Sequence, residues 1–220
     1  MTSGNVDRPT APSARGTAGR LARALIGGFA LTLLGLAAAA EDLPFGQPTV
    51  AYSGITVTEV GGQSIQTRVY FTPGHQRNEI DTAVGQQVML MDFADKVSYM
   101  LMPMAKSYME MPMGVQAATG AAPAAAPAGK VEHEVLGQET VGGQETTKYH
   151  FRVTTSEGST DGFAWVTADG ILMRSEAETS TGAADQSPGR IVMTLQDLSI
   201  GPQDPALFEL PADYTKIGTN

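Results

Sequence analysis

Short runs of alternating apolar and polar residues, separated by glycine turns, constrain the fold of this chain most strongly. Residues 64–72 alternate in this way, and Gly61-Gly62 separates them from residues 50–60, which are rich in β-branched types. A period of two beside a two-residue glycine turn predicts a β-hairpin. Similar hairpins are predicted around Gly142-Gly143 and Asp169-Gly170.

The same pattern recurs over most of the sequence. The predicted strands cover residues 50–60, 64–72, 76–83, 86–93, 96–102, 107–111, 135–141, 145–154, 162–168, 171–179 and 190–200. Ala94-Asp95 and Met104-Ala105 are predicted turns within this series. Helical periodicity of useful length is missing after residue 40. About ten antiparallel strands in successive hairpins predict a mainly β fold, a strongly curved sheet that forms a half-open barrel with little helix.

Residues 1–40 have the three parts of a secretion signal. Arginines precede an apolar stretch, residues 25–36, and an alanine run that ends at Ala40 follows it. These are the n-region, the h-region and the cleavage site of a signal peptide. A membrane anchor is the alternative, but a spanning helix needs roughly 20 strongly apolar residues, and glycines interrupt this stretch. We expect cleavage after Ala40 and a periplasmic or secreted protein with no stable membrane span.

Charge and composition exclude several classes of function for the mature domain, residues 41–220. Residues 1–40 hold four of the 14 basic and one of the 23 acidic residues, so the mature domain has 10 basic and 22 acidic residues. This excess of acid argues against a nucleic-acid partner. The chain has no cysteine, so its core must hold the fold without disulfides. Residues 114–129 are almost entirely Ala, Pro and Gly, which predicts a flexible loop inside one domain.

Three segments carry a family resemblance. They are the Met-rich residues 88–111 (Val-Met-Leu-Met-Asp-Phe-Ala-Asp-Lys-Val-Ser-Tyr-Met-Leu-Met-Pro and onward), residues 137–149 followed by Trp165 and Asp169-Gly-Ile171, and the ending 207–214 (Leu-Phe-Glu-Leu-Pro-Ala-Asp-Tyr). Together they resemble the LolA-like superfamily of periplasmic lipoprotein carriers, and most closely its uncharacterised members. The resemblance implies a half-open curved sheet covered by short helices, with an apolar cavity that takes up acyl chains.

Methionine is concentrated in one part of the chain, which holds eight of its eleven methionines. These are Met89, Met91, Met100, Met102, Met104, Met109, Met111 and Met113. They fit an ordinary core, or a cavity wall that adapts to lipid, because unbranched Met side chains repack around varied ligands. They also fit Cu(I) binding, since soft thioethers select this ion. The motifs for this reading are Met100-x-Met102-x-Met104 and Met109-x-Met111-x-Met113. Residues two apart on a strand, however, lie about 6.5 Å apart, which is wide for shared coordination.

Other catalytic or metal-binding patterns are missing. His75, His133 and His150 have no metal-triad spacing, and Glu132-His133-Glu134 lacks the second histidine of a zinc-protease motif. The sequence contains no nucleophile elbow, no cysteine nucleophile and no phosphate-binding glycine loop. We therefore expect a protein that is not an enzyme and that uses no cofactor or metal.

The leading hypothesis is a carrier or sensor that binds an apolar small molecule or lipid against the concave sheet. The predicted wall residues are Met89, Met91, Phe93, Tyr99, Leu101, Phe163 and Trp165. One alternative is a module with a filled core that engages another envelope protein through its acidic surface or residues 114–129. The other alternative is a Met-rich Cu(I)-binding protein.

Overall fold

The structure is a computed structural model that describes residues 46–83, 85–113, 115–116, 124–125, 130–155, 158–181 and 189–218. The predicted signal peptide and most of the predicted loop lie outside the described residues. The strands are β1 (Tyr52–Val60), β2 (Gln63–Thr72), β3 (His75–Thr82), β4 (Gly85–Asp92), β5 (Val97–Met102), β6 (Ser107–Pro112), β7 (Val115–Gln116), β8 (Ala124–Ala125), β9 (Lys130–Val141), β10 (Gln144–Thr154), β11 (Gly158–Val166), β12 (Leu172–Thr181), β13 (Gly189–Ile200) and β14 (Thr215–Lys216). Two short 3₁₀ helices, Pro103–Ala105 and Pro205–Phe208, complete the described elements.

Twelve of these strands form one open sheet. Their order is β14-β6-β5-β4-β3-β2-β1-β13-β12-β11-β10-β9, and β7 pairs with β8 in a separate two-stranded sheet. Neighbours in the large sheet are antiparallel except β14, which pairs with β6 in parallel. β14 and β9 form the two edges, so the sheet curves without closing. The prediction of a mainly β fold with an open, curved antiparallel sheet and little helix is confirmed. The sheet has twelve strands where about ten were predicted, and β14 pairs in parallel.

The two predicted glycine pairs form two-residue turns. Gly61 and Gly62 have φ values of +54° and +78°, and Gly142 and Gly143 have +58° and +80°. A type I′ turn needs a positive φ at both central residues, and its twist matches that of the flanking strands. Each pair therefore joins two strands directly, β1 to β2 and β9 to β10.

The chain forms two series of hairpins, β1–β6 and β9–β13, that β1 joins into one sheet. β1 pairs with β2 on one side and with β13 on the other. The register shifts between Ser53 and Ile55, where the two backbones approach closely. A Cβ atom on Gly54 would lie 2.9 Å from the carbonyl oxygen of Gln196. This contact explains why a residue without a side chain stands inside the strand.

Some strand boundaries differ from the prediction, chiefly at the β9 edge. β9 begins at Lys130 rather than at residue 135, and β11 begins at Gly158 rather than at residue 162. The added part of β9 is mostly exposed and polar. An edge strand with both faces in solvent needs no apolar alternation, so the pattern that predicts half-buried strands misses it.

Alternation and strand pairing place the side chains of the sheet on two faces. We call the face that carries Phe71, Leu195 and Phe151 the core face, and the other the opposite face. One buried cluster on the core-face side consists of Tyr52, Val69, Phe71, Ile171, Met173 and Leu195. A second consists of Phe151, Ala164, Val166 and Ala177. Burial of these side chains on one face of both hairpin series provides the main apolar core of the sheet.

The C-terminal segment covers part of the opposite face. Val88, Leu90 and Leu101 form a third buried cluster there, and Leu210 and Tyr214 pack against it. The Arg77 guanidinium donates a 3.0 Å hydrogen bond to the Leu207 carbonyl, which ties β3 to this segment. The segment then continues into β14 and protects the edge of β6.

Candidate functional site

The predicted wall residues on β4 lie on the core face. Met89 and Met91 are both there, because residues two apart in a strand share a face. Phe93 follows β4 in the turn to β5, and its ring centroid lies 6.3 Å from that of Phe71. Phe93 therefore packs at the end of the main core, next to the surface that carries Met91.

The predicted wall residues on β5 lie on the opposite face. Leu101 pairs with Val88, and Tyr99 pairs with Leu90. Leu101 is 2% exposed, and the C-terminal segment covers its cluster. Tyr99 packs edge to face with Tyr108, with 6.0 Å between the ring centroids. The structure therefore separates Tyr99 and Leu101 from Met89 and Met91 by the thickness of the sheet.

Phe163 and Trp165 share the opposite face of β11, within a charged network. The indole Nε1 of Trp165 donates a 2.7 Å hydrogen bond to Glu139, and the Lys148 ammonium lies 2.9 Å from the other Glu139 oxygen. Lys148 Nζ also lies 4.7 Å from the Trp165 ring centroid and 5.3 Å from that of Phe163. Arg174 lies 5.6 Å from the Trp165 ring centroid. Phe163 and Trp165 therefore pack beneath charged side chains and lie on the face opposite Met89 and Met91.

This network lowers the pKa of the Glu139 carboxyl. The hydrogen bond from Trp165 is the largest cause, and the hydrogen bond from Lys148 comes next. Both donors stabilise the carboxylate over the carboxylic acid. Glu139, Lys148 and Trp165 come from three neighbouring strands, and their spacing in the sequence does not link them. Their proximity follows only from the register of these strands.

Six methionines from three neighbouring strands lie together on the core face. Met89 pairs with Met100, and Met100 pairs with Met109, so these three form one row across β4, β5 and β6. We call the full set of six the methionine strip. Its members are Met89, Met91, Met100, Met102, Met109 and Met111. The strip contains two of the seven residues predicted as the cavity wall, and the other four come from the wider methionine cluster of the sequence.

The connections from β4 to β5 and from β5 to β6 set the register that brings these methionines side by side. The Asp92 carboxylate accepts hydrogen bonds of 3.0 Å from the backbone N–H groups of Ala94 and Asp95, which closes the turn from β4 to β5. Lys96 then takes a φ of +53°. The helix Pro103–Ala105 connects β5 to β6, and Lys106 follows it with a φ of +43°. These two connections set Met100 between Met89 and Met109.

The strip becomes more exposed away from the main core. Met91 and Met111 are buried, at 8% and 7% exposure, and Ser98 lies between them. Met89, Met100, Met102 and Met109 are only half-buried. The strip therefore offers apolar side chains that the core has not fully covered.

The charged side chains of β2–β6 lie on the side opposite the strip. Pairing places them all on the opposite face, and the core-face residues of the same strands are uncharged. The charged residues are Arg68, His75, Arg77, Glu79, Asp81, Asp92 and Glu110. The described histidine, aspartate and glutamate residues do not gather in threes around a common metal position.

A pocket of about 240 Å³ opens on the opposite face of β1–β4. Its lining is mostly polar and consists of Ile55, Gln66, Arg68, Glu79, Asp81 and Gln86. Such a lining suits a small polar molecule better than an acyl chain. The methionine strip differs from this pocket because its large side chains are apolar.

Sequence comparison identifies the family of the chain. A family model described as "Domain of unknown function (DUF4412)" matches residues 54–175, more than half of the sequence. The chain belongs to the DUF4412 family. The DUF4412 match begins within β1 and ends within β12, and it includes the whole methionine strip. No curated protein matches the sequence.

Solved structures similar to this DUF4412 protein are distant in sequence. An uncharacterized conserved protein from Thermus thermophilus shares 10% identity, with a TM-score of 0.48 over 83% of this chain and 96% of that one. MucB in the Pseudomonas aeruginosa MucA/MucB complex shares 12%, with a TM-score of 0.47 over 84% of this chain and 62% of that one. A DUF1329 family protein from Desulfovibrio piger shares 10%, with a TM-score of 0.25 over 80% and 95%. These likenesses carry no argument about function.

Among the described residues, no helix is long and apolar enough to cross a membrane. Residues 1–45 lie outside that description.

Proposed function

We propose that this DUF4412 protein is an exported, non-enzymatic carrier or sensor that binds an apolar ligand of the acyl-chain class on the methionine strip. The observation that carries the proposal is the placement of the six methionines. They lie on the core face of β4–β6, and four of them remain partly exposed. Burying their apolar area under a ligand would supply roughly 25 cal/mol for each Å² removed from water.

The choice of side chain supports a surface that adapts to its ligand. A Met side chain is unbranched and polarizable, so a group of them can repack around acyl chains of different length and bend. On the same strands, the permanently covered cluster of the opposite face uses the branched residues Val88, Leu90 and Leu101 instead. Four of the six methionines therefore stand where the surface is partly open, while the branched residues stand where it is covered.

The proposal changes the site that the sequence suggested. Met89 and Met91 remain wall residues, and Phe93 lies beside them at the end of the main core. Tyr99, Leu101, Phe163 and Trp165 are excluded from this ligand surface because they lie on the opposite face. Met100, Met102, Met109 and Met111 replace them.

Two further features agree with this proposal. Residues 1–40 have the sequence of a secretion signal, which would place the protein in the periplasm or outside the cell. The segments that resemble the LolA-like superfamily imply an acyl-binding cavity on a half-open sheet, and the open sheet found here has the corresponding form.

Methyl NMR tests this ligand surface directly. Protein purified from cells that express the full chain would carry isotopically labelled methionine methyl groups and would be titrated with laurate. We expect the methyl signals of Met89, Met100, Met102 and Met109 to shift, while that of Met193 on β13 stays in place. Methyl signals of the strip that do not move at laurate excess would refute the proposal.

A matched pair of variants controls for folding. Met100→Glu places a charge in the centre of the strip and should weaken laurate binding at least about tenfold, or about 1.4 kcal/mol. Leu136→Glu also replaces an apolar side chain by a charged one, at a residue that is 48% exposed on β9, the other edge of the sheet. We expect this control to bind laurate like the unchanged protein. Equal binding by the two variants would show that laurate binds elsewhere.

A second candidate function is docking of an extended segment of another envelope protein along β9. Among the residues that the structure describes, no strand pairs with the outer side of β9, and its side chains Val135 and Leu136 are 59% and 48% exposed. An exposed edge strand can accept an added strand. Crosslinks in intact cells from a photoreactive side chain at Glu134, but not at Gln196 on β13, would support it. Equal crosslinking from both positions would contradict it.

A further inference from the structure

We propose that Met89, Met100 and Met109 form a binding site for one Cu(I) ion through their thioether sulfurs. The three residues form the cross-strand row at the centre of the methionine strip. This inference goes beyond apolar binding, because it depends on the sulfur atoms rather than on the apolar area of the same side chains.

The register brings the three side chains within reach of one ion. Directly opposed residues on neighbouring antiparallel strands have Cβ atoms about 4.5–5.5 Å apart. Met100 lies in the middle, with Met89 on one side and Met109 on the other. Three flexible side chains that start this close together can turn their sulfurs toward a common point above β5.

The row differs from the copper motif that the sequence suggested. Met109 and Met111 follow each other along β6, where the spacing of about 6.5 Å separates side chains on the same face. Met113 lies beyond the end of β6. In the row, Met100 lies one strand spacing of about 4.8 Å from each neighbour, so Met89 and Met109 are about 9.6 Å apart, whereas the outer residues of three alternate positions along one strand are about 13 Å apart.

The surroundings of the row favour a soft cation over a hard one. Thioether ligands select Cu(I), whereas Ca²⁺ and Mg²⁺ require oxygen ligands such as carboxylates. Pairing places the charged groups of β2–β6 on the opposite face, including Glu79, Asp92 and Glu110. The described core-face partners on these strands are uncharged. The row therefore presents neutral sulfur without a competing carboxylate beside it.

The distribution of methionine between the two faces also points to the sulfur. All six methionines of β4, β5 and β6 lie on the core face. The opposite face of these strands fills its buried positions with Val88, Leu90 and Leu101. Apolar packing alone does not require this separation, because leucine and methionine fill similar volumes in a core.

Anaerobic competition with a chromophoric Cu(I) chelator tests the site. The protein, purified from cells that express the full chain, is expected to withdraw one equivalent of Cu(I) from the chelator. The triple variant Met89→Leu, Met100→Leu and Met109→Leu keeps apolar side chains of similar volume but removes the sulfurs. We expect it to lose at least about tenfold in Cu(I) affinity. The control variant changes Met104, Met113 and Met193 to Leu and should bind Cu(I) unchanged.

Two further measurements keep the proposal falsifiable if the triple variant folds poorly. X-ray absorption at the copper edge of the unchanged protein should show sulfur neighbours. Its Cu(I) affinity should also stay constant between about pH 5 and pH 8, because thioethers have no proton to release on binding, unlike histidine or cysteine. Failure to compete for Cu(I), coordination by nitrogen or oxygen alone, or unchanged affinity in the folded triple variant would each overturn the site.

The same triple variant separates this proposal from the apolar one. It should still bind laurate, because leucine preserves the apolar surface. Loss of Cu(I) with laurate binding retained would support the metal site. Loss of laurate with Cu(I) retained would overturn the site, since copper would then be bound elsewhere.

Discussion

The two faces of β4, β5 and β6 differ in the type of apolar side chain they carry and in how completely these side chains are covered. On the opposite face, branched side chains form a cluster that the C-terminal segment covers, and Val88, Leu90 and Leu101 are almost fully buried. On the core face, the strip has only unbranched methionine as its large apolar residue, and four of its six members are partly exposed. The difference fits the proposal that one face stabilises the fold and the other binds a ligand.

The largest expected effect tests stability on the covered face. Leu101→Ala removes a buried side chain and leaves a cavity, so we expect a loss of about 2–5 kcal/mol in the free energy of unfolding. Met100→Ala, the neighbouring position on the strip, should cost about 1–2 kcal/mol, because part of its side chain is already in water. Urea unfolding of both variants measures the difference. A larger cost for Met100→Ala would reverse the comparison.

The hairpin pattern of the sequence is sufficient to predict most of the fold, and also the strip. The turn predicted at Ala94-Asp95 implies that residue 91 pairs with residue 98, which places Met100 beside Met89 as observed. The turn predicted at Met104-Ala105 likewise aligns Met100 with Met109. The set of predicted wall residues included Tyr99 and Leu101 because the pairing of β4 with β5 was not used to assign their faces. Local turn geometry therefore contained more information about the site than composition did.

Other features depend on contacts that a local pattern cannot predict. The pairing of β1 with β13 joins the two series of hairpins. It therefore determines which side chains of β11 lie on the same face of the sheet as Met89 and Met91 of β4. Register shifts on β1 and on β11 alter that relation further, and a shift of one residue exchanges the faces. The placement of Phe163 and Trp165 on the opposite face follows from these pairings. The cover that Leu210 and Tyr214 provide is equally non-local.

A smaller effect is expected when the cover is weakened rather than the cluster beneath it. Leu210 is partly buried against the opposite-face cluster, so Leu210→Ala should cost about 1–2 kcal/mol in the free energy of unfolding. Amide exchange should also accelerate at Thr215 and Ile217, which donate hydrogen bonds to the carbonyls of Lys106 and Tyr108.

Glu209→Ala is the matched control for the cover, because Glu209 is the adjacent residue and is exposed. Its effect on the free energy of unfolding should stay within about 0.5 kcal/mol. Equal effects of the two variants would show that the segment does not stabilise the opposite face through Leu210, and the contrast between a covered face and an open one would lose its basis.

The smallest expected effect concerns the opposite face of β9–β11. There a charged network around Trp165 lies on the sheet in place of a covering segment. Trp165 and Lys148 lower the pKa of Glu139, so its carboxyl should titrate below the ordinary value of about 4.3 in an NMR experiment. A lowered pKa in the folded state means that this interaction stabilises the protein above the unfolded pKa, and that the stabilisation disappears as the pH falls through the folded pKa.

Trp165→Phe removes the largest cause of the lowered pKa and should raise the pKa of Glu139. The pKa of Glu132, which Lys130 lowers, should stay in place. A pKa of Glu139 that Trp165→Phe leaves unchanged would mean that the indole only packs against this surface, and that its hydrogen bond does not hold the carboxylate there.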